Sequence, residues 1–126
     1  MNNSKIKICF VTATRAEYGL LRGLIKKISS SVLFELQLIV TGTHLARQHG
    51  FTLEEIKSDN IRISSLIDME LNNDSNHSTC LSLSKLISKY SEVLKDLVPD
   101  LIVVLGDRYE LLGIASSATI HRIPIA

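Results

Sequence analysis

Hydrophobic residues along this chain are concentrated in short runs separated by stretches with helical spacing. The runs at residues 6–12, 34–40 and 101–105 are rich in β-branched and aliphatic side chains, so they predict strands. The run at 101–105 is apolar throughout, which is typical of a central parallel strand buried on both faces. Residues 61–64 predict a short third strand, and residues 123–126 predict the start of a fifth.

Between these runs, apolar residues recur every three or four positions, which predicts amphipathic helices. The predicted helices are residues 15–30, 52–58, 79–97 and about 107–120. A polar loop at 72–78 precedes the third helix, and Pro99 ends it. Strands that alternate with helices predict an α/β fold, a Rossmann-like doubly wound parallel sheet with right-handed crossovers.

Residue 126 lies within the predicted fifth strand. A natural domain seldom ends inside a core strand. We therefore expect residues 1–126 to be a partial amino-terminal Rossmann-like domain of a longer protein.

Composition and charge narrow the classes of function. Apolar residues make up 45% of the chain, enough to fill a core, and the formal charge is +1, from 14 basic and 13 acidic residues. This balance argues against nucleic acid or an anionic membrane as the main partner. Cys9 and Cys80 have no metal-binding or disulfide-framework spacing, and the first residues resemble neither a signal peptide nor a membrane span. We expect a cytoplasmic protein.

In an open parallel sheet, ligands bind beyond the carboxyl ends of the strands. Three predicted loops lie there, at residues 12–19, 41–44 and 106–110. None contains the glycine-rich dinucleotide fingerprint or a Walker A lysine motif, so neither an NAD enzyme nor a P-loop NTPase is favoured. No histidine, cysteine or carboxylate cluster has metal-ligand spacing.

Two of these loops carry a helix-capping pattern. Thr14 and Glu17 have capping-box spacing, and Asp107 and Glu110 repeat the arrangement in the later loop. Capping explains the two glutamates at least as well as a catalytic role does. Asp107 follows a predicted strand directly, so its carboxylate is expected to project into the crevice, although aspartate is also a common N-cap.

The capping pattern places Arg15 and Arg108 at the first position of their helices. A cation there is unfavourable by roughly 0.3–1 kcal/mol, because the helix dipole is positive at that end. We interpret Arg15, and less strongly Arg108, as a partner of a bound phosphate. The alternatives are that these side chains extend into solvent or pair with nearby carboxylates. His44 follows Gly42, whose missing side chain would let the backbone approach a ligand, but a lone loop histidine is more often a surface group.

Taken together, the three loops resemble those of the hydrolysing UDP-N-acetylglucosamine 2-epimerases, which act in sialic and legionaminic acid synthesis. The matching segments are V-T-A-T-R-A-E-Y-G at 11–19, V-T-G-T-H-L at 40–45 and V-L-G-D-R-Y-E at 104–110. The non-hydrolysing relatives typically carry G-T-R-P-E and H-G-D-T in the corresponding loops. The versions in this chain therefore point to the hydrolysing branch.

The resemblance implies the first domain of a two-domain, GT-B-type enzyme with a UDP-sugar in the interdomain cleft. Such an enzyme converts UDP-N-acetylglucosamine and water to N-acetylmannosamine and UDP, without a metal or other cofactor. By motif matching, Asp107 would be the acid/base carboxylate and Arg15 would face the diphosphate. His44, Arg108 and Glu110 would line the pocket. The resemblance also implies further catalytic carboxylates and a second domain beyond residue 126, and a homodimer or homotetramer.

Other functions remain open at this stage. UDP-N,N'-diacetylbacillosamine is an alternative substrate, used in legionaminic acid synthesis. A chain of this length is also compatible with a binding or dimerisation module that has no activity. A glycosyltransferase of the same two-domain architecture is a third possibility, and it would require a sugar acceptor.

Overall fold

The computed structural model describes residues 4–46 and 52–126, in which four parallel strands form one sheet with helices on both faces. The strands are β1 (Ile6–Thr12), β2 (Phe34–Thr41), β3 (Ser65–Ile67) and β4 (Leu101–Val103). The helices are α1 (Arg15–Ser29), α2 (Leu53–Ser58), α3 (Asn76–Leu97) and α4 (Tyr109–Ile120), with a 3₁₀ helix at Gly42–Leu45. The strand order is β3-β2-β1-β4, so the predicted α/β fold with a parallel sheet is confirmed.

Strand β1 is the centre of the sheet, and its alternate side chains enter two separate cores. Ile8 and Phe10 face α1 and α2, whereas Cys9 and Val11 face α3 and α4. Burial of all four residues accounts for the continuous apolar run in the sequence. Burial also raises the pKa of the Cys9 thiol to about 12, so this cysteine is a core residue with no reactive thiolate.

The third strand lies further along the chain than residues 61–64, so that prediction is wrong. Pairing with β2 begins where Ser65 lies opposite Ile39. Just before it, the Ser64 side chain accepts a hydrogen bond from the Leu38 amide at 3.0 Å, and the Ser64 amide donates to the Leu38 carbonyl at 2.8 Å. Ile61 is buried, but in the core under α1 and α2 and not in the sheet.

The fourth strand is shorter than the apolar run that predicted it, and the chain returns beside it at residues 123–126. Ile102 and Ile125 form a parallel bridge, and the Val104 amide donates to the Ala126 carbonyl at 3.0 Å. The predicted fifth strand is therefore represented by this pairing at the outer edge of β4.

Helices α3 and α4 begin at least two residues from their predicted positions, whereas α2 begins one residue later than predicted. Helix α3 starts within the predicted loop, because the Ser75 side chain caps it by accepting from the Ser78 amide at 3.1 Å. Helix α4 has Arg108 at its N-cap position, without a side-chain cap, so the predicted Asp107 cap is wrong. Gly106 has a φ of 129°, and the chain enters the helix only after this turn. Across the described residues, no helix combines the length and apolar character needed to cross a membrane.

Candidate functional site

The loops after β1 and β2 are held together at the carboxyl edge of the sheet. Gly42 has a φ of 63°, and a β-carbon at this position would lie 2.6 Å from the Ala13 carbonyl oxygen. That oxygen accepts hydrogen bonds from the Thr43 amide at 2.9 Å and the Thr43 hydroxyl at 3.1 Å. Gly42 thus permits close approach of the neighbouring loop, where the sequence had suggested room for a ligand.

The predicted capping box at the start of α1 is present with one difference. Thr14 Oγ1 accepts from the Glu17 amide at 3.2 Å, as expected of an N-cap. The Glu17 carboxylate reaches the amide of Ala13, at 2.9 Å, one residue before the cap. Arg15 is accordingly the first residue of α1, which confirms the helix position inferred from the sequence.

Arg15 extends from the start of α1 towards α2. Its guanidinium lies 2.9 Å from a Glu55 carboxylate oxygen, and both side chains are largely exposed. The carboxylate partner considered as an alternative is therefore observed. Arg15 and Glu55 border a cleft of about 390 Å³ between α1 and α2. The pair lies on an accessible surface, where ion pairs are weak.

Asp59, at the far end of that cleft, accepts hydrogen bonds from side chains of α1. Its carboxylate accepts hydrogen bonds from the Tyr18 hydroxyl and from Arg22, with Nη2 at 2.6 Å and Nε at 2.8 Å. Lys26 Nζ lies 3.4 Å away. The Arg22 hydrogen bonds, followed by that from Tyr18, hold the pKa of Asp59 well below its usual range. This cluster fixes the end of α2 against α1.

Asp107 and Arg108 border a second cleft, of about 230 Å³, between the start of α1 and the β4–α4 loop. Its lining residues are Thr14, Ala16, Glu17, Leu20, Leu105, Gly106, Asp107 and Arg108. The Asp107 side chain is exposed, and this places it within reach of a ligand in the cleft. Two of the loops predicted to form the site thus meet in one cleft.

Arg108 is held by the residues that follow it. Its Nε lies 3.2 Å from a carboxylate oxygen of Glu110, whose side chain is only 1% exposed. The guanidinium carbon also lies 5.6 Å from the centre of the Tyr109 ring, within the range of a cation–π contact. Glu110 is therefore a buried anchor for Arg108 and does not line the cleft itself.

A small polar pocket of about 60 Å³ on the other side of Arg108 was missed by the sequence reasoning. It is lined by Thr43, Leu71, Asn72, Asn73, Asp74, Thr79, Arg108 and Tyr109. Half of its lining residues come from the loop between β3 and α3, which also starts at the carboxyl end of a strand. A correct prediction of β3 at Ser65–Ile67 would have pointed to this pocket, because the loop that follows the strand then lies at the same edge of the sheet as the site.

His44 is entirely buried, so the surface position expected of it is wrong. Its Nε2 lies 2.9 Å from Thr12 Oγ1, and its Nδ1 lies 2.6 Å from Thr52 Oγ1. Burial lowers the pKa of His44 to about 4, so the ring is neutral near neutral pH. The ring supports the loops from behind and has no exposed atoms with which to line the pocket.

The five residues predicted for the site consequently occupy three positions. Asp107 and Arg108 share one cleft, Arg15 borders the neighbouring one, and His44 and Glu110 are buried behind them. Within residues 4–46 and 52–126, no three histidine, cysteine, aspartate or glutamate side chains are grouped to hold a metal ion.

Comparison with known proteins adds a family and a fold. Residues 26–126 match the protein family described as UDP-N-acetylglucosamine 2-epimerase. The GDP/UDP-N,N'-diacetylbacillosamine 2-epimerase (hydrolyzing) of Campylobacter jejuni is 44% identical over 122 residues, which are 97% of this chain and 32% of that protein. The UDP-N,N'-diacetylbacillosamine 2-epimerase (hydrolyzing) of Legionella pneumophila is 37% identical, over 94% of this chain and 32% of its own length. The chain spans about a third of the length of these curated relatives.

Among solved structures, the UDP-GlcNAc 2-epimerase of Neisseria meningitidis, bound to UDP-GlcNAc, superimposes with a TM-score of 0.77. The match covers 96% of this chain and 31% of that one, at 22% sequence identity. At this identity the likeness shows the fold alone.

Proposed function

Because the chain belongs to the UDP-N-acetylglucosamine 2-epimerase family, we propose that the full-length protein is a hydrolysing UDP-sugar 2-epimerase. We also propose that residues 1–126 supply one wall of its substrate site. The observation that carries the proposal is the cleft in which Asp107 and Arg108 meet the amino terminus of α1. A helix amino terminus beside an arginine suits a diphosphate, and an exposed carboxylate nearby suits proton transfer.

The reaction has two stages that these residues can serve. In the first, a base removes the proton at C2 of the sugar while the bond between C1 and the UDP oxygen breaks. In the second, water adds across the resulting double bond, with its proton arriving at C2 from the opposite face and its hydroxyl at C1. Asp107 is proposed as one acid/base group. Arg108 and Arg15 are proposed to stabilise the negative charge that develops on the departing diphosphate.

Arg15 would have to exchange partners for this role. It contacts Glu55 in the structure, and the pair is exposed to solvent, so a diphosphate would displace Glu55 at small cost. Charge-assisted, bidentate hydrogen bonds from arginine to phosphate are stronger than such a surface pair. The proposed diphosphate contact of Arg15 is therefore compatible with its observed partner.

Two N-acetylated UDP-sugars are candidate substrates. UDP-N-acetylglucosamine is the first candidate, because the three loop motifs resemble those of enzymes that use it. UDP-N,N'-diacetylbacillosamine is the second candidate, and the 44% and 37% identities to two relatives named for that sugar favour it.

The test is incubation of the purified full-length protein with each nucleotide sugar, followed by separate assays of UDP and of the sugar. Release of UDP with a free sugar of inverted C2 configuration is the expected result. A C2 epimer that is still bound to UDP would indicate the non-hydrolysing reaction, and a requirement for a sugar acceptor would indicate a glycosyltransferase. Absence of turnover and of UDP binding would leave the binding-module hypothesis.

A homodimer or homotetramer is proposed for the full-length protein. Helix α4 exposes Leu112 and Ile120, with 64% and 79% of their surfaces accessible, and both lie on a helix without basic residues. These two apolar side chains are accessible for contact with another subunit. Light scattering would determine the subunit number.

The cytoplasm remains the proposed compartment, because Cys9 and Cys80 are free thiols.

A further inference from the structure

The Glu17 carboxylate connects two segments of the candidate site. Its Oε2 accepts a hydrogen bond from the Ala13 amide, at 2.9 Å, in the loop that follows β1. Its Oε1 faces Gly106 in the β4–α4 loop, where a β-carbon built on the glycine would lie only 2.6 Å from that oxygen. One carboxylate therefore occupies the space between the start of α1 and the residue before Asp107.

Helix capping accounts for only part of this arrangement. In a capping box the acidic side chain bonds the amide of the N-cap residue, which here is Thr14. The Glu17 side chain bonds an earlier amide and leaves its second oxygen against Gly106. Gly106 has a φ of 129°, which side-chain-bearing residues rarely adopt. The path of the β4–α4 loop is thus fitted closely around this carboxylate.

We propose that Glu17 is a positioning residue that sets the location of Asp107 through its packing against Gly106. This inference rests on the proposed function, in which Asp107 transfers a proton. Glu17 would act through the loop and would not itself exchange the proton. Misplacement of a catalytic group by about 1 Å can lower a rate by about 100-fold, so a contact that fixes the loop has a measurable kinetic consequence.

Substitutions at Glu17 in the full-length protein separate this role from capping. Glu17→Ala is expected to lower kcat by roughly 10- to 100-fold, while KM for the UDP-sugar changes by less than about threefold. Glu17→Gln keeps the length of the side chain and an oxygen that accepts from Ala13, so kcat should stay within about threefold of wild type. If Glu17 only caps α1, Glu17→Ala would lower the melting temperature and leave kcat unchanged, which would overturn the proposal.

A double-mutant cycle tests the contact itself. Gly106→Ala forces a β-carbon against the carboxylate, and it should lower kcat in wild type by at least about fivefold more than in the Glu17→Ala background. The backbone strain of alanine at this φ is common to both backgrounds and cancels. Independent, multiplicative effects of the two substitutions would contradict the proposed packing.

Amide hydrogen exchange provides a readout that does not depend on activity. Exchange at residues 106–108 is expected to accelerate by about tenfold in Glu17→Ala and to stay unchanged in Glu17→Gln. Ser75→Ala, which removes the cap of α3, is the matched control and should leave these amides unaffected. Unchanged exchange in Glu17→Ala would overturn the proposal. If exchange accelerates in Glu17→Ala but the unsubstituted full-length protein has no epimerase activity, the contact is supported and the proposed function is refuted instead.

Discussion

Thr12 and His44 are both fully buried, with Thr12 Oγ1 and His44 Nε2 only 2.9 Å apart. On the other side of the imidazole, Nδ1 lies 2.6 Å from Thr52 Oγ1, just before α2. The ring therefore joins the end of β1 to the start of α2, behind the loops of the candidate site. Because burial lowers its pKa to about 4, this connection depends on a neutral histidine.

The stability of the protein should consequently fall as the pH is lowered from about 6.5 to about 4. The unfolded state, with an ordinary histidine pKa near 6.5, binds a proton in this range that the folded state does not. The contribution of His44 is therefore present above pH 6.5, and at pH 5 the free energy of unfolding should be about 2 kcal/mol lower. Urea unfolding at pH 8, 6, 5 and 4.5 measures this dependence.

His44→Gln is the control for that experiment. It should lower stability at pH 8 but remove the part of the pH dependence that lies between pH 6.5 and 4.5. All other ionisable groups are the same in both proteins and cancel in the comparison. Identical slopes for wild type and variant would show that His44 is not the group responsible.

Asp107→Asn in the full-length protein should abolish turnover while leaving the fold intact. General acid/base groups contribute about 10²- to 10⁴-fold to a rate, so UDP release should fall by at least about 100-fold. Circular dichroism should be unchanged, because the Asp107 side chain is exposed and does not cap α4. Asp96→Asn is the matched control, since Asp96 borders a cavity with Lys7 and Glu35 at the opposite end of the sheet. Activity near the wild-type level in Asp107→Asn would refute the acid/base role.

Arg15→Ala should chiefly weaken UDP binding. Loss of charge-assisted hydrogen bonds to phosphate, each worth about 1.5–3 kcal/mol, corresponds to an affinity decrease of about 10-fold or more. Glu55→Gln should instead strengthen binding by up to about fivefold, because it removes the competing partner of an exposed ion pair worth at most about 1 kcal/mol. Isothermal titration calorimetry with UDP measures both effects. Arg62→Ala, at the opposite end of the sheet, is the control and should not alter the affinity for UDP. An unchanged Kd in Arg15→Ala would show that Arg15 does not contact the diphosphate.

Val98→Gly should stabilise the protein. Val98 ends α3 in the left-handed conformation, with a φ of 46°, and 61% of its surface is exposed. A branched side chain is strained there, whereas glycine is the residue that most often ends a helix in this way, so a gain of roughly 0.5–1 kcal/mol is expected. Thermal or urea unfolding measures the gain. Val32→Gly, at another exposed valine, should give no stabilisation, and a loss in Val98→Gly would show that the valine packs usefully.

The central part of the fold was predictable from the hydrophobic pattern, because burial there is imposed along each segment. Strand β1 was predicted to the residue, and α1 and β2 to within one residue. Strand β3 was not, since Ile61 and Ile63 carry the apolar signal while pairing with β2 starts at Ser65. The register of an edge strand depends on a partner distant in sequence, and a local pattern does not contain that information.

The candidate site was predictable in its loops but not in its contacts. The sequence placed Asp107 and Arg108 beyond a strand end, and the structure brings them against α1. It did not reveal that Glu55 lies within 2.9 Å of Arg15, because that pair joins two different helices. Nor did it reveal that His44 is buried, since the threonines around it become neighbours only after folding.

The central position of β1 also has a consequence for the order of events during protein synthesis. Ile8 pairs with Leu101, 93 residues later in the chain. At about 5–20 residues per second, a ribosome needs roughly 5–20 s to make the intervening segment. During that interval one edge of an apolar strand has no partner, although β2 is already available on the other side. Nascent chains that stall before β4 would therefore expose an unpaired, aggregation-prone strand edge. A chaperone that binds residues 6–12 would protect the growing polypeptide from aggregation.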